Sequence, residues 1–163
     1  NKALKASDYA LAARMYTLGL DMLLGTRAAK DLSAADWFTL ETTSGANVPS
    51  ALLSNRSLAY LEQGDTTAAA VDAEHCCLAR PAWPKGHLRL LAALERGDAE
   101  VREQLGAAER ALRACPASAQ IKEAKAALES KADMQAPLTQ SDAEAAAQLA
   151  ATHAVADSRT DPR

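Results

Sequence analysis

Stretches with apolar residues at helical spacing alternate along the chain with short breaks of one recurring type. The breaks are the pairs Gly64-Asp65 and Gly97-Asp98, with Ser7-Asp8 in the same place earlier. Glycine tolerates the left-handed turn that ends a helix, and an aspartate side chain can accept hydrogen bonds from free N–H groups at the next helix start. Each break therefore predicts the end of one helix and the start of another.

Two prolines mark where the second helix of a unit ends. Proline cannot continue a helix, so Pro81 and Pro116 are interpreted as closing the second helices of their units. The spacing from Gly64 to Gly97, and from Pro81 to Pro116, is close to the ~34 residues of one common helical repeat. The pattern predicts an all-α protein built from helix-turn-helix repeats.

Small residues recur in the predicted second helices, at Ala12, Gly19, Ala69, Cys76 and Ala111. A glycine inside a helix costs about 1 kcal/mol relative to alanine, so Gly19 indicates a close approach of another helix. Cys76 is interpreted in the same way, as a small buried residue. His75, its neighbour, is expected on the outer side of that helix.

The first repeat contains an insertion. Asp8 and Asp65 are 57 residues apart, about 23 more than one repeat of ~34. The surplus falls at about 25–49, where Ser33 and Asp36 predict the capped start of a short helix. The second helix of the first repeat is expected to run on past Leu24. Trp37 and Phe38 are expected to pack back on the repeats, with partner binding as the alternative.

Beyond Pro116 the chain changes character. Residues 118–130 are predicted to form a capping helix over the last repeat, because a repeat array needs a polar-faced end. Residues 131–163 form an alanine-rich tail, with a helix expected over 142–156 that begins with a capping box at 141–144. Alanine gives helix propensity but buries little surface, so this helix is expected to pack only loosely.

Composition and charge exclude several classes of function. Only 4% of the residues are aromatic, and the net charge of −3 offers no basic field for nucleic acid or an anionic membrane. No apolar run is long enough to span a membrane, and the N-terminus has no signal-peptide pattern. Three cysteines imply no disulfide framework. The sequence favours a soluble protein of a reducing compartment, cytosol or nucleus, and we expect it to be cytoplasmic.

Three stretches resemble the carboxylate-clamp tetratricopeptide-repeat (TPR) domains of heat-shock co-chaperones. They are residues 1–4, Asn-Lys-Ala-Leu, residues 53–60, Leu-Ser-Asn-Arg-Ser-Leu-Ala-Tyr, and residues 80–89, Arg-Pro-Ala-Trp-Pro-Lys-Gly-His-Leu-Arg. The resemblance covers about 1–130. It implies a TPR superhelix of three repeats, about 1–24, 50–83 and 84–117, with a capping helix. Such domains bind the C-terminal Glu-Glu-Val-Asp tail of the seventy- and ninety-kilodalton chaperones.

The resemblance places the clamp on Asn1, Asn55, Lys85 and Arg89. Lys85 and Arg89 are four residues apart, so they share one helix face, and an arginine can grip a carboxylate bidentately. A solvated helix face is the alternative interpretation of this pair. The family's first clamp lysine would precede Asn1, which implies that the chain is part of a longer protein. His87 stands where the family commonly has an aromatic residue.

Nothing in the sequence predicts catalysis. His75, His87 and His153 are scattered, and no nucleophile–histidine arrangement, phosphate loop or metal-ligand spacing occurs. We therefore expect no enzymatic activity and no cofactor or metal. The expected function is a co-chaperone adaptor. The alternatives are a scaffold that binds an unrelated protein through the insertion, and the targeting module of a larger enzyme.

Overall fold

The computed structural model describes residues 8–45 and 47–135, and these residues form α-helices and no β-strand. The seven helices are α1 (Tyr9–Leu24), α2 (Ala34–Thr43), α3 (Val48–Glu62), α4 (Thr66–Ala79), α5 (Pro84–Arg96), α6 (Val101–Ala114) and α7 (Ala119–Gln135). A single turn of 3-10 helix, Ala29–Asp31, precedes α2. The all-α prediction is confirmed. The segment before Asp8 and the predicted helix over 142–156 lie outside the described residues.

The helices pack in chain order, as in a helical-repeat superhelix. α1 contacts α3, α3 contacts α4, α4 contacts α5 and α5 contacts α6, while α3 and α5 also lie side by side. The insertion helix α2 is the exception, because it packs outside this path on α4 and α3. A compact unit ends at Lys131, and of the second unit, 132–163, only residues 132–135 are described. Within the described residues, no helix is both long and apolar enough to cross a membrane.

Small side chains let the helices approach closely, as predicted. Ala12, Ala69, Cys76 and Ala111 are each at most 2% exposed. A Cβ atom added at Gly19 would lie only 3.2 Å from a methyl carbon of Leu52 on α3. The interpretation of these five positions as contact points between helices is confirmed.

Two of the three predicted breaks have the expected geometry at the helix start. The carboxylates of Asp8 and Asp65 accept hydrogen bonds from the N–H groups of Leu11 and Ala68, at 2.9 and 3.0 Å. Gly64, before Asp65, has a φ of +82°, a conformation that glycine adopts without steric cost. These residues end and start helices as their sequence pattern indicates.

The third break differs, and the prediction that Asp98 caps the following helix is wrong. α6 begins only at Val101, and Asp98 itself takes the left-handed conformation, with a φ of +54°. Gly97 is needed for space instead, because a Cβ atom there would lie 3.1 Å from Oγ1 of Thr66. This turn is one residue longer than the turn between α3 and α4, and the side chain of Gln104 donates to the half-buried Ala99 carbonyl at 2.7 Å.

The insertion begins where α1 ends, at Leu24. Gly25 has a φ of +62° and donates its N–H to the Asp21 carbonyl at 2.9 Å. The expectation that this helix continues past Leu24 is therefore wrong. The predicted start of α2 is confirmed: Asp36 donates its N–H to the Ser33 hydroxyl, and its carboxylate accepts the Ser33 N–H at 2.9 Å.

The insertion packs on the repeats through Trp37. Its side chain is fully buried, and its ring stacks on His75 of α4 with 5.0 Å between centroids. Phe38 is 54% exposed, so the packing prediction is confirmed for Trp37 and wrong for Phe38. The expectation for His75 is also wrong, because α2 covers this side of α4. Burial lowers the pKa of His75.

α2 also supplies the cap of α3. Asn47, which precedes α3, has a φ of +57° and gives no side-chain cap. Instead, the buried carboxylate of Glu41 accepts the N–H of Ser50 at 2.9 Å, together with the Ser50 hydroxyl. A carboxylate at this end of a helix also interacts favourably with the helix dipole. The insertion thus completes the second repeat.

A buried ion pair links the first three repeat helices that the structure describes. Arg56 of α3 binds Asp72 of α4 bidentately, with its Nε and Nη2 atoms at 2.7 and 2.8 Å from the two carboxylate oxygens. Its Nη1 donates to the Thr17 hydroxyl of α1 at 3.0 Å. The side chains of Arg56 and Asp72 are only 14% and 4% exposed.

Candidate peptide-binding site

Helix α5 carries two of the predicted clamp residues, and its packing fixes where they lie. Pro84 opens the helix, a position that proline favours. Gly86 brings α5 close to α4, since a Cβ atom there would lie 3.0 Å from the Cys76 sulfur. Lys85 is exposed, with its Nζ atom 5.5 Å from the centre of the Trp83 ring. Arg89 follows one turn later on the same face.

Arg89 is the most unusual cation of the site. Its side chain is half-buried, and its Nε atom is buried with no hydrogen-bond partner. Burial lowers the pKa of its guanidinium group. Within residues 8–45 and 47–135, two arginines of the repeat helices form ion pairs, Arg56 with Asp72 and Arg96 with Glu62. No such partner is seen for Arg89 in this part of the chain.

Asn55 lies on the neighbouring helix, α3. Arg96 of α5 donates to the Leu61 carbonyl and the Glu62 carboxylate of α3, at 3.3 and 3.0 Å. These contacts fix the two helices side by side, with Glu62 level with Arg96. Seven residues, or about two helical turns, back along each helix lie Asn55 and Arg89. Asn55 is half-buried.

The structure therefore places three of the four predicted site residues, Asn55, Lys85 and Arg89, on two adjacent helices. Asn1 lies outside the described residues. Ser54, beside Asn55 on α3, has a fully buried hydroxyl without a hydrogen-bond partner among those residues. Nothing in the sequence distinguished Ser54 from an ordinary helix position.

Cys76 lies beneath the two cations. Its sulfur donates to the Ser50 carbonyl at 3.4 Å, and it is fully buried. Burial raises the pKa of this thiol, against the opposing charge of Lys85. The interpretation of Cys76 as a small buried residue is confirmed, and its thiol is not available as a nucleophile.

His87 points into the protein and not toward a ligand. It is 8% exposed, and its Nε2 atom is 2.7 Å from the Pro81 carbonyl oxygen. Because a carbonyl only accepts, this nitrogen carries the hydrogen, and Nδ1 can accept from the Cys77 thiol at 3.4 Å. His87 therefore joins the start of α5 to the end of α4, and its place next to Gly86 does not disturb the face that carries Lys85 and Arg89.

An apolar cavity of about 270 Å³ opens between α5 and α7, and the α5 residues that line it lie on either side of Arg89 in the sequence. Its walls include Leu88, Leu91 and Ala92 of α5 and Leu128 of α7, and Lys131 lies at its edge. Sequence analysis missed this cavity because its walls come from helices that are far apart in the chain. It has room for an apolar side chain.

Within the described residues, no cluster of histidine, cysteine and carboxylate side chains could hold a metal ion. Cys76, Cys77 and Cys115 are free thiols. What the described residues bring together is a pair of cations, an amide and an apolar cavity along adjoining helices. No protein-family model matches the chain, and a search of curated proteins finds no match.

Proposed function

We propose that this chain is a TPR-type peptide-binding module of the co-chaperone kind, which holds the acidic C-terminal tail of a heat-shock chaperone through Asn55, Lys85 and Arg89. Asn1 is proposed as the fourth member of the clamp. The observation that carries the proposal is the state of Arg89, a half-buried guanidinium whose Nε atom has no acceptor among the described residues.

The energetic argument starts from the cost of Arg89 as it stands. A buried donor without an acceptor costs roughly 1–3 kcal/mol, and more when the group is charged. An external carboxylate could form two parallel hydrogen bonds with the guanidinium group and so offset that cost. Lys85, one turn away, supplies a second positive charge for the other carboxylate of a terminal aspartate. Asn55 adds a neutral donor on the opposite side.

The cavity between α5 and α7 fits the same ligand. A peptide held by its terminus at Arg89 could extend along α5, and Ala92 in the cavity wall is one turn from Arg89. An apolar residue a few positions before the terminus would then fill the cavity. In this proposal the protein acts in the cytoplasm, by binding alone, and needs neither catalysis nor a cofactor.

Titration of a Glu-Glu-Val-Asp peptide into wild type and Arg89→Ala tests the proposal directly. Loss of one charge-assisted hydrogen bond, which contributes ~1.5–3 kcal/mol to the binding free energy, should weaken binding by about 10- to 150-fold. The matched control is Arg113→Ala, since Arg113 is an exposed arginine on α6. A peptide amidated at its C-terminus should bind wild type as weakly as the free peptide binds Arg89→Ala.

Equal affinities of wild type and Arg89→Ala for the tail peptide would show that Lys85 and Arg89 belong to a solvent-exposed helix face that does not bind it. Binding should also weaken as salt concentration rises, because Lys85 is exposed. Circular dichroism of Arg89→Ala should match wild type, so that lost binding cannot be attributed to unfolding.

A scaffold that binds an unrelated protein through the insertion is the second candidate. Phe38 favours it, as an aromatic ring 54% exposed on α2, far in sequence from the clamp helices. Phe38→Ser separates the two candidates. If the chain is a clamp, Phe38→Ser should bind the tail peptide with the same affinity as wild type. If it is a scaffold, Phe38→Ser should lose the protein partner, and neither wild type nor the variant should bind the tail peptide.

A further inference from the structure

The ring of Trp83 contacts two positively charged side chains near the start of α5. The guanidinium carbon of Arg80 is 5.2 Å from the ring centre and the Nζ atom of Lys85 is 5.5 Å from it, both within the range of cation–π attraction. Neither cation forms an ion pair with a carboxylate of residues 8–45 or 47–135. Within this part of the chain, the aromatic ring is therefore a partner that the two cations share.

The fold holds the ring of Trp83 in place. Its side chain is half-buried and packs against the core cluster that contains Cys76 and Ala79. Its N–H group donates to the Arg80 carbonyl at 3.1 Å, and its own carbonyl accepts the N–H of Gly86 at 3.2 Å. The proline that follows it has a fixed φ angle, which stiffens the backbone at this point. The ring therefore has little freedom to move.

Lys85 has no comparable restraint of its own. It is exposed, and its charge is carried on a flexible four-carbon stem. Ordering such a side chain when a ligand binds lowers the affinity, because rotamer freedom is lost at that moment. Side chains on a helix lean toward its N-terminus, so the contact of Lys85 with Trp83 follows the usual direction of a helical side chain. This contact limits the positions of the ammonium group before any ligand arrives.

We propose that Trp83 is a positioning residue of the peptide-binding site, and that its ring holds the Lys85 ammonium group ready for a carboxylate of the bound peptide. This inference rests on the proposed function and adds to it a residue that acts only through Lys85. A lysine that is already ordered in the free protein loses less entropy on binding, so the contact raises the affinity. An ammonium group has three N–H donors, and those that point away from the ring remain free to donate to a carboxylate.

Proton NMR of the full chain without peptide tests the contact itself. The ring current of Trp83 should move the Cε proton signals of Lys85 upfield of those of Lys122, an exposed lysine on α7. Trp83→Met should abolish the difference, and Trp83→Phe, which keeps an aromatic ring, should retain part of it. Circular dichroism of both variants checks that they are folded. Lys85 signals that match those of Lys122 in wild type would overturn the inference, whatever the chain binds.

Titration of the Glu-Glu-Val-Asp peptide tests the consequence for binding. Trp83→Met should weaken binding by about two- to fivefold, the equivalent of one exposed cation–π contact, and Trp83→Phe should restore most of the affinity. In a chain that already carries Lys85→Ala, Trp83→Met should have no further effect, whereas a merely structural role would weaken binding in both backgrounds. Arg80→Gln is the matched control, because Arg80 is the other cation on the ring, and it should change the affinity by less than about twofold.

The outcomes separate this inference from the clamp. Unchanged or tighter binding by Trp83→Met would overturn the role of Trp83, and so would an effect that persists in Lys85→Ala or that Arg80→Gln reproduces. The clamp would survive each of these results as long as Arg89→Ala binds the peptide more weakly than wild type. Equal affinities of wild type and Arg89→Ala would instead overturn the clamp, and with it the use of Lys85 for binding.

Discussion

The ion pair between Arg56 and Asp72 gives the sharpest test of the packing. Asp72→Ala would remove both acceptors of Arg56 that lie at 2.7 and 2.8 Å and leave a guanidinium with 14% side-chain exposure. Two hydrogen bonds to charged groups contribute roughly 3–6 kcal/mol together. Breaking a buried pair by removing one partner costs about 3–5 kcal/mol. The two estimates agree, and we expect a loss of about 4 kcal/mol in the free energy of unfolding.

Urea unfolding followed by circular dichroism measures this loss. The midpoint should fall for Asp72→Ala without a change in the slope. Glu62→Ala is the control, because it breaks the ion pair with Arg96, whose side chain is 51% exposed, and should cost no more than about 1 kcal/mol. Replacing both buried partners with apolar residues, Arg56→Met with Asp72→Leu, should recover most of the stability.

Two results would contradict this account. A cost for Asp72→Ala equal to that of Glu62→Ala would mean that Arg56 is solvated without its partner. A double variant no more stable than Asp72→Ala alone would mean that shape, and not the unpaired charge, decides the cost at this site.

Three further predictions concern the insertion. Trp37→Ala should lower the free energy of unfolding by about 3–5 kcal/mol, because the ring is fully buried. Phe38→Ala should change it by no more than about 0.5 kcal/mol, because this ring is 54% exposed. Equal effects of the two variants in urea unfolding would disprove the packing of α2. Burial lowers the pKa of His75 below 6.5, so the unfolded chain binds a proton more readily and stability should fall as the pH drops through 6.5. His75→Leu should lose that pH dependence, and an unchanged pH profile of its urea midpoint would contradict the assignment. Hydrogen bonds from Ser33 and Arg27 lower the pKa of Asp36 from 3.8 to about 2, so the start of α2 should weaken between about pH 4 and pH 2. The chemical shift of the Ser33 amide should change over this pH range, and it should not change in Asp36→Asn.

Local sequence signals predicted the helices and most of their ends. Asp8 and Asp65 cap helices because their carboxylates reach N–H groups three residues on, which needs no distant partner. Small residues at regular spacing likewise predicted the close approaches at Ala69 and Cys76. The prediction was wrong at Asp98, which takes the left-handed conformation with a φ of +54°, so that α6 begins only at Val101.

For the candidate site, the sequence placed the cations on one helix face but gave no measure of their burial. That the Nε atom of Arg89 lacks an acceptor among the described residues, whereas Arg56 and Arg96 have carboxylate partners, depends on which carboxylates the fold brings near each arginine. Nor could local patterns identify Glu41 as the cap of α3, because a capping side chain normally precedes its own helix. The cavity between α5 and α7 depends on the same long-range packing.

The contacts of Glu41 and Trp37 affect how far the repeats are interchangeable. In a regular solenoid each unit touches only its neighbours, so total stability is close to a sum over units and interfaces. Here an element that belongs to neither helix of a repeat caps α3 and fills a space beside α4. The second repeat, excised or moved to another array, would lose both. Residues 25–47 are therefore not a loop that can be shortened freely, and a consensus redesign would need a new cap and a new core residue before it could omit them.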